Sequence, residues 1–236
     1  MITRTAVFLA ALTLASTAQA ALHDRGGGLI YDDVLNITWL QDANYAKTSG
    51  YDADGWLNWY EATVWSASLS YFDTVRNVTW DDWRLPVMID SGPTGCNWSY
   101  GGTDCGYNVN TADSELAHLF FDALGNKSYY DTDGVPTIGD HNALGWLPVN
   151  PGPFNNLQEL GVYWYGTEYY PNPYPEPLDV WLFSMRDGYQ GFNSKGHQRR
   201  YAWAVRDGDV AAIPEPETYG MFLAGLGLLA FKLRKR

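Results

Sequence analysis

Thiols are scarce in this chain: Cys96 and Cys105 are its only cysteines. No H-E-x-x-H helix, G-x-S-x-G elbow or phosphate-binding G-x-x-x-x-G-K-[ST] loop occurs in it either. Zinc-protease, α/β-hydrolase and nucleoside-triphosphate chemistry therefore lose their usual signatures. Cations are few as well, 15 Lys and Arg against 27 Asp and Glu, for a net charge of −12. Such a field repels nucleic acid and anionic lipid, which makes both poor partners. It suits solubility outside a cell and leaves room for loosely held calcium; the sequence calls for no other cofactor. No internal repeat is visible. Long apolar runs are absent too. The longest, Tyr219 to Phe231, has 13 residues, about 20 Å as a helix against a hydrocarbon core of roughly 30 Å.

The two ends read as addresses. Met1 to Ala20 carries one early cation, Arg4, the apolar run Ala6 to Leu12, and a small-residue end at Ala18-Gln19-Ala20. That order is a secretory signal peptide with cleavage after Ala20. At the other end Pro214-Glu215-Pro216 precedes the apolar run, and Lys232, Arg234, Lys235 and Arg236 follow it. The basic cluster would be held on the cytoplasmic side, with the body of the protein outside. Tripeptide, apolar run and basic terminus together resemble the PEP-CTERM sorting signal, here residues 213–236. The resemblance implies processing by an exosortase, in bacteria that make exopolysaccharide. A segment that only parks the chain in the inner membrane until it is processed has no need of full spanning length. Localisation would then be periplasm, cell surface or extracellular matrix.

Between them, residues 21–212 form one domain of ordinary size. The ends hold five of the cations and only two of the acids, so this body is the more acidic part. In an oxidising compartment Cys96 and Cys105 read as a disulfide closing a short loop, worth roughly 2–3 kcal/mol on chain-entropy grounds. A zinc site lacks partner ligands nearby. "GLIYDDVLNITWLQDANYA" predicts two short strands joined at Asp32-Asp33 or Asn36. "LNWYEATVWSASLSYF" predicts a well-buried helix: Asn58 caps it with Glu61 at capping-box spacing, Leu57, Tyr60 and Val64 form an apolar row, and Trp65 and Leu69 widen it. "DSELAHLFFDALGN" predicts a second, with Leu116, Leu119, Phe120, Ala123 and Leu124 on one face, Asp113 or Ser114 as cap, and Gly125 as stop. His118 falls off that stripe, which places it toward solvent. "NPGPFNN" and "YPNPYPEP" are loops. Val162–Tyr165, Val180–Met185 and Tyr201–Val205 are strand-like, and the Asp-Gly pairs of "MRDGYQGF" and "VRDGDV" are hairpin signals. The expectation is a loop-rich α+β domain of two helices and short antiparallel strands, with N- and C-terminal strands paired.

The blocks "LIYDDVLNITWLQDANYA", "WRLPV", "SELAHLF", "GVYWYGTEY" and "YAWAVRDGDV" are similar, in that order, to the Lcl C-terminal domain family, a domain family of unknown function. That family looks related to the C-type-lectin and formylglycine-generating-enzyme folds, so the resemblance implies a C-type-lectin-like domain. Where the family often reads Tyr-Trp-Ser-Ser-Thr, this chain has Tyr163-Trp164-Tyr165-Gly166-Thr167, and a shared ligand site does not carry over. Trp83-Arg84-Leu85-Pro86 reads as a fold element, with Trp83 and Leu85 anchored in the core and Arg84 paired with a buried carboxylate.

Catalytic residues do not emerge. His23, His141 and His197 sit in polar or Gly-rich surroundings and read as surface residues. Formylglycine-type oxidation would need reactive cysteines, and the only two are used as a bridge. Asp52-Ala53-Asp54-Gly55 and Asp131-Thr132-Asp133-Gly134 are oxygen-rich, but ordinary turns account for them better than calcium loops. Glu176-Pro177 lacks the Asn that follows in lectin calcium loops. Aromatics are the surplus, with 11 Trp, 17 Tyr and 9 Phe. Trp98 and Tyr100 in the bridged loop, with Tyr169, Tyr170, Tyr174 and Glu176 around the Pro-rich loop, are candidates for a sugar-stacking surface. The expected function is a non-enzymatic, surface- or exopolysaccharide-associated protein that binds extracellular polysaccharide. A carbohydrate-active hydrolase or oxidase, or a purely structural matrix protein, are the alternatives. Four Asn-x-Ser/Thr sequons, at Asn36, Asn77, Asn97 and Asn126, prove nothing alone.

Overall fold

The computed structural model describes residues 22–91, 96, 98–137, 149–169 and 178–210. Both terminal segments, Tyr170, Tyr174, Glu176, His141 and Asn97 lie outside the described residues.

An antiparallel sheet in the order β1-β2-β3-β9 comprises β1 (Leu22–Asp24), β2 (Leu29–Asp32), β3 (Ile37–Leu40) and β9 (Val205–Asp207). The turn between β2 and β3 falls where Asp32 and Asn36 predict it. Asp32 Oδ1 accepts the N–H groups of Val34 and Leu35, and Asn36 supplies a φ of 53°. Ile37 pairs with Asp207 and Trp39 with Val205, so the chain's early and late strands meet as expected. A second antiparallel sheet holds β6 (Val162–Glu168), β7 (Asp179–Ser184) and β8 (Gln190–Ser194). The Asp187-Gly188 turn joins β7 to β8, whereas Asp207-Gly208 ends β9 by packing Gly208 N–H against the Asn36 carbonyl at 2.8 Å.

Tyr201–Val205 is not one strand. Tyr201 pairs in parallel with Tyr163, and Val205 pairs with both Trp39 and Arg84. The segment thus spans from one sheet to the other. The "WRLPV" strap lies beside it: Arg84 and Val205 exchange backbone hydrogen bonds at 2.8 and 2.9 Å, and Pro86 carbonyl accepts from Gly166 N–H. Trp83 and Leu85 are buried. Arg84 binds both oxygens of the half-buried Glu115 and also Asp207. Burial opposes its charge, but these carboxylates outweigh that and hold the guanidinium protonated.

Helices are short. α1 (Tyr45–Thr48), unforeseen in the sequence, precedes α2 (Trp59–Ser68). The α2 capping box is present: Asn58 Oδ1 accepts Glu61 N–H at 3.0 Å and Glu61 Oε2 accepts Asn58 N–H at 2.9 Å. Its buried face is Trp59, Ala62, Trp65 and Ser66; Tyr60 and Val64 stand 55% and 60% exposed. The segment is apolar on both sides, so periodicity alone did not choose between faces. Its tail does not continue the helix either. Tyr71–Asp73 is β4, paired with β5 (Val78–Trp80) in a hairpin. The second predicted helix starts as α3 (Glu115–His118) and widens into a π-turn over Leu119–Ala123. Ser114 is its cap, and Gly125, at φ 66°, stops it.

Trp39, Trp164, Trp181 and Trp203 are fully buried, which answers where much of the aromatic surplus goes. Three of these indoles have partners: Trp164 donates to Leu57 O, Trp203 to Leu40 O and Trp181 to Asp90, whereas the Trp39 Nε1 has none among the described residues. No helix among the described residues is long and apolar enough to cross a membrane. The fold is α+β, loop-rich and mostly antiparallel.

Candidate functional site

The loop closed by the Cys96–Cys105 disulfide lies against the end of the β6-β7-β8 sheet. Gly106 and Gln190 exchange backbone hydrogen bonds at 2.9 Å each, stitching the loop to β8. Gly106 has φ 98°, and a Cβ there would meet Ser99 O at 2.2 Å, so this crossing requires glycine. Below it runs a buried polar network. Gln190 Nε2 donates to Asp104 O at 2.7 Å, while its Oε1 lies 2.8 Å from Tyr165 Oη and 2.9 Å from Ser114 Oγ. Ser114 also accepts Ala117 N–H as the α3 cap. One side chain therefore ties loop, strand and helix. Asn108 fixes the other flank by donating to the carbonyls of Tyr100 and Tyr130.

On this frame eight rings form a continuous surface. Tyr169 stacks on Phe192 with centroids 3.6 Å apart. Phe192 touches Trp98 at 5.3 Å, and Trp98 stacks on Tyr189 at 6.2 Å. Tyr189 meets Tyr107 at 5.3 Å, and Tyr107 meets Tyr130 at 4.9 Å. Tyr100 contacts Tyr107 and Tyr130, and Tyr129 closes the row 4.7 Å from Tyr130. Trp98 is 50% and Tyr100 41% exposed, and the other six rings are more covered, with Tyr169 and Phe192 packed against the core. Tyr100 lies over Gly134, where any Cβ would approach its ring to 2.7 Å.

Trp98 has φ 57°, a left-handed conformation that a bulky L residue rarely takes. Such strain costs about 1–3 kcal/mol and persists only where the surroundings enforce it. Here they are the disulfide, the Trp98 N–H on Cys105 Sγ and the Tyr107 N–H on Ser99 O. Burial, then the charge of Asp187, push the Tyr107 phenol up to about 12 and raise Tyr189 as well, which keeps these two hydroxyls protonated. An apolar face edged by neutral hydroxyls can stack on the C–H face of a sugar ring and exchange hydrogen bonds with its hydroxyls.

Of the ligand candidates, Trp98, Tyr100 and Tyr169 share this surface. Tyr170, Tyr174 and Glu176 lie outside the described residues. Tyr107, Tyr129, Tyr130, Tyr189 and Phe192 were missed. The Tyr129-Tyr130 doublet and the aromatics flanking the Asp187-Gly188 turn were the available signals, but nothing local says that segments 60 residues apart converge.

His118 corrects the sequence reading. It is 5% exposed, not solvent-facing. Its Nδ1 lies 3.2 Å from Asp122 and its Nε2 3.6 Å from the fully buried Asp32. The latter is too long for a hydrogen bond, so attraction between charges holds it. Burial opposes charge on the imidazole, yet the two carboxylates prevail and its pKa is raised. His23 bonds Asp33 at the surface, and His197 is exposed. Carboxylates of the acidic turns are committed to backbone: Asp52 Oδ1 accepts from Asp54 and Gly55, and Asp131 Oδ1 from Asp133 and Val135. Among the described residues no group of three or more His, Cys, Asp or Glu is placed to hold a metal.

No curated protein matches the chain, and no solved structure does. The likeness to the Lcl C-terminal domain family therefore rests on the sequence blocks alone. Residues 212–236 match the PEP-CTERM protein-sorting motif family. The chain thus carries the signal of an exported protein, sorted by an exosortase at the inner membrane for the cell surface or extracellular space.

Proposed function

We propose that this is a non-enzymatic, C-type-lectin-like domain that binds extracellular polysaccharide through the aromatic surface. One observation carries the reading: eight rings from four separate chain segments converge into a single row, with Trp98 and Tyr100 the most exposed, on a protein bearing the sorting signal of exported proteins. A row several rings long suits a polymer lying along it better than a small molecule in a hole. Single rings give shallow, additive contacts, so affinity comes from several sugars engaged at once.

The rival hydrolase needs two carboxylates facing each other across a cleft. A cleft of about 190 Å³ does hold Asp113 and Glu115. Glu115 is taken up by Arg84 and the Val87 N–H, and Asp113 by Asn110. Groups so engaged are poor acids or bases, which weighs against hydrolysis. Calcium is dispensable on this reading, because the rings need none.

Cosedimentation of the exported protein with the producing cells' own exopolysaccharide, with and without calcium, tests the proposal. Binding in both conditions supports it, and absence of binding in both refutes it.

A further inference from the structure

A cleft of about 330 Å³ adjoins the aromatic row, and Lys127, Arg186, Asn126, Asn150 and Phe120 are among its lining residues. Two segments line both features. Residues 126–130 give Asn126 and Lys127 to the cleft and Tyr129 and Tyr130 to the row. Residues 186–189 give Arg186 to the cleft and Tyr189 to the row. The segments are clamped together where Tyr129 N–H donates to Asp187 O at 2.9 Å. The wall is fixed: Asn150 N–H donates to Asn126 Oδ1 at 2.7 Å, Asn126 Nδ2 donates to Asn150 O, and Asn150 Nδ2 donates to Leu124 O.

Charge sets this place apart. The whole chain is at −12, yet among the described residues two cations line one cleft and no carboxylate does. Arg186 is partly offset by the buried Asp187, 3.3 Å away. Lys127 is exposed and has no charged partner among the described residues. Two fixed amide groups and a local positive charge suit a sugar bearing an acid group. We propose that the cleft takes the acidic residue of an anionic polysaccharide, a uronic acid or similarly charged sugar, while neighbouring units stack along the aromatic row. Distant acids repel such a polymer only over a Debye length, about 8–10 Å at physiological salt. Contact with the cleft escapes most of that repulsion.

This inference rests on the glycan-binding reading, and one experiment separates their fates. Binding of the exported protein to polygalacturonate and to dextran is measured by calorimetry at low and at high salt. The expected result is about tenfold tighter binding of polygalacturonate at low salt, the size of a charge-assisted hydrogen bond, with the preference shrinking as salt rises. Lys127→Gln with Arg186→Gln brings the ratio of the two affinities to about one. Lys127→Glu alone, which leaves the Arg186–Asp187 pair intact, lowers polygalacturonate affinity in the same direction and covers the case in which the double variant folds poorly. Equal affinity for both polymers in the wild type, or an undiminished preference in Lys127→Glu, overturns the cleft assignment alone. Binding of neither polymer overturns the cleft assignment, and the aromatic reading falls with it only if the producing cells' own exopolysaccharide is not bound either.

Discussion

His118 and Asp32 show what one buried charge pair does to stability. The imidazole is protonated more readily in the folded chain than in the unfolded one, since its pKa is raised above 6.5. Its contribution is therefore complete below about pH 6.5 and fades as pH rises through the higher folded value. Urea unfolding from about pH 5 to pH 9 should show stability falling across that window. Asp32→Asn keeps the Oδ1 acceptor for Val34 and Leu35 but removes the charge. It should cost about 1–3 kcal/mol at low pH and flatten the dependence. A pH dependence unchanged in Asp32→Asn would show that the pair is not its source. The histidine itself was misplaced by the sequence because its role depends on Asp32, 86 residues earlier. A stripe on one helix cannot reveal a partner on another element. Arg84 was easier: an arginine between two core anchors must find a carboxylate, and Glu115 is that carboxylate.

Elements that act locally were readable. The Asn58–Glu61 capping box, the Ser114 cap and the Asp187-Gly188 hairpin each depend on residues three or four apart, and each is in place. The buried face of α2 was only partly readable: Leu57, Trp65 and Leu69 are buried as expected, but Trp59 competes with Tyr60 and Val64 for the core and only the strands behind decide. The disulfide loop lies between these cases. Its closure follows from two cysteines in an oxidising compartment, but its docking on Gln190 depends on β8. The loop carries Tyr100 and the strained Trp98, and Tyr107 follows just beyond its closing cysteine. Reducing the Cys96–Cys105 bridge should therefore lower stability by roughly 2–3 kcal/mol and weaken polymer binding more than it lowers helix or sheet content. Paired denaturant and binding titrations, with and without dithiothreitol, check this. Binding unaffected by reduction would remove the bridge from the site.

For the whole molecule, sorting and binding are separate devices on one chain. The PEP-CTERM motif at residues 212–236 directs processing, and the body carries the proposed surface. Mass spectrometry of the protein outside the cell should find a mature N-terminus after Ala20 and no intact Tyr219–Phe231 segment. A full-length C-terminus in the released protein would contradict exosortase processing. The C-terminal address was legible because such signals are linear and are read before or apart from folding. The aromatic row was only partly legible, since it exists only once four segments meet.

The most direct test of the central claim compares wild type with Trp98→Ala in cosedimentation with the producing cells' exopolysaccharide. Trp98 is half exposed and bridges Phe192 to Tyr189. Losing it should remove about 0.5–1.5 kcal/mol of stacking, a two- to twelvefold rise in Kd, while far-ultraviolet and unfolding signals stay close to wild type. Equal retention of the two proteins by the polymer would contradict the account.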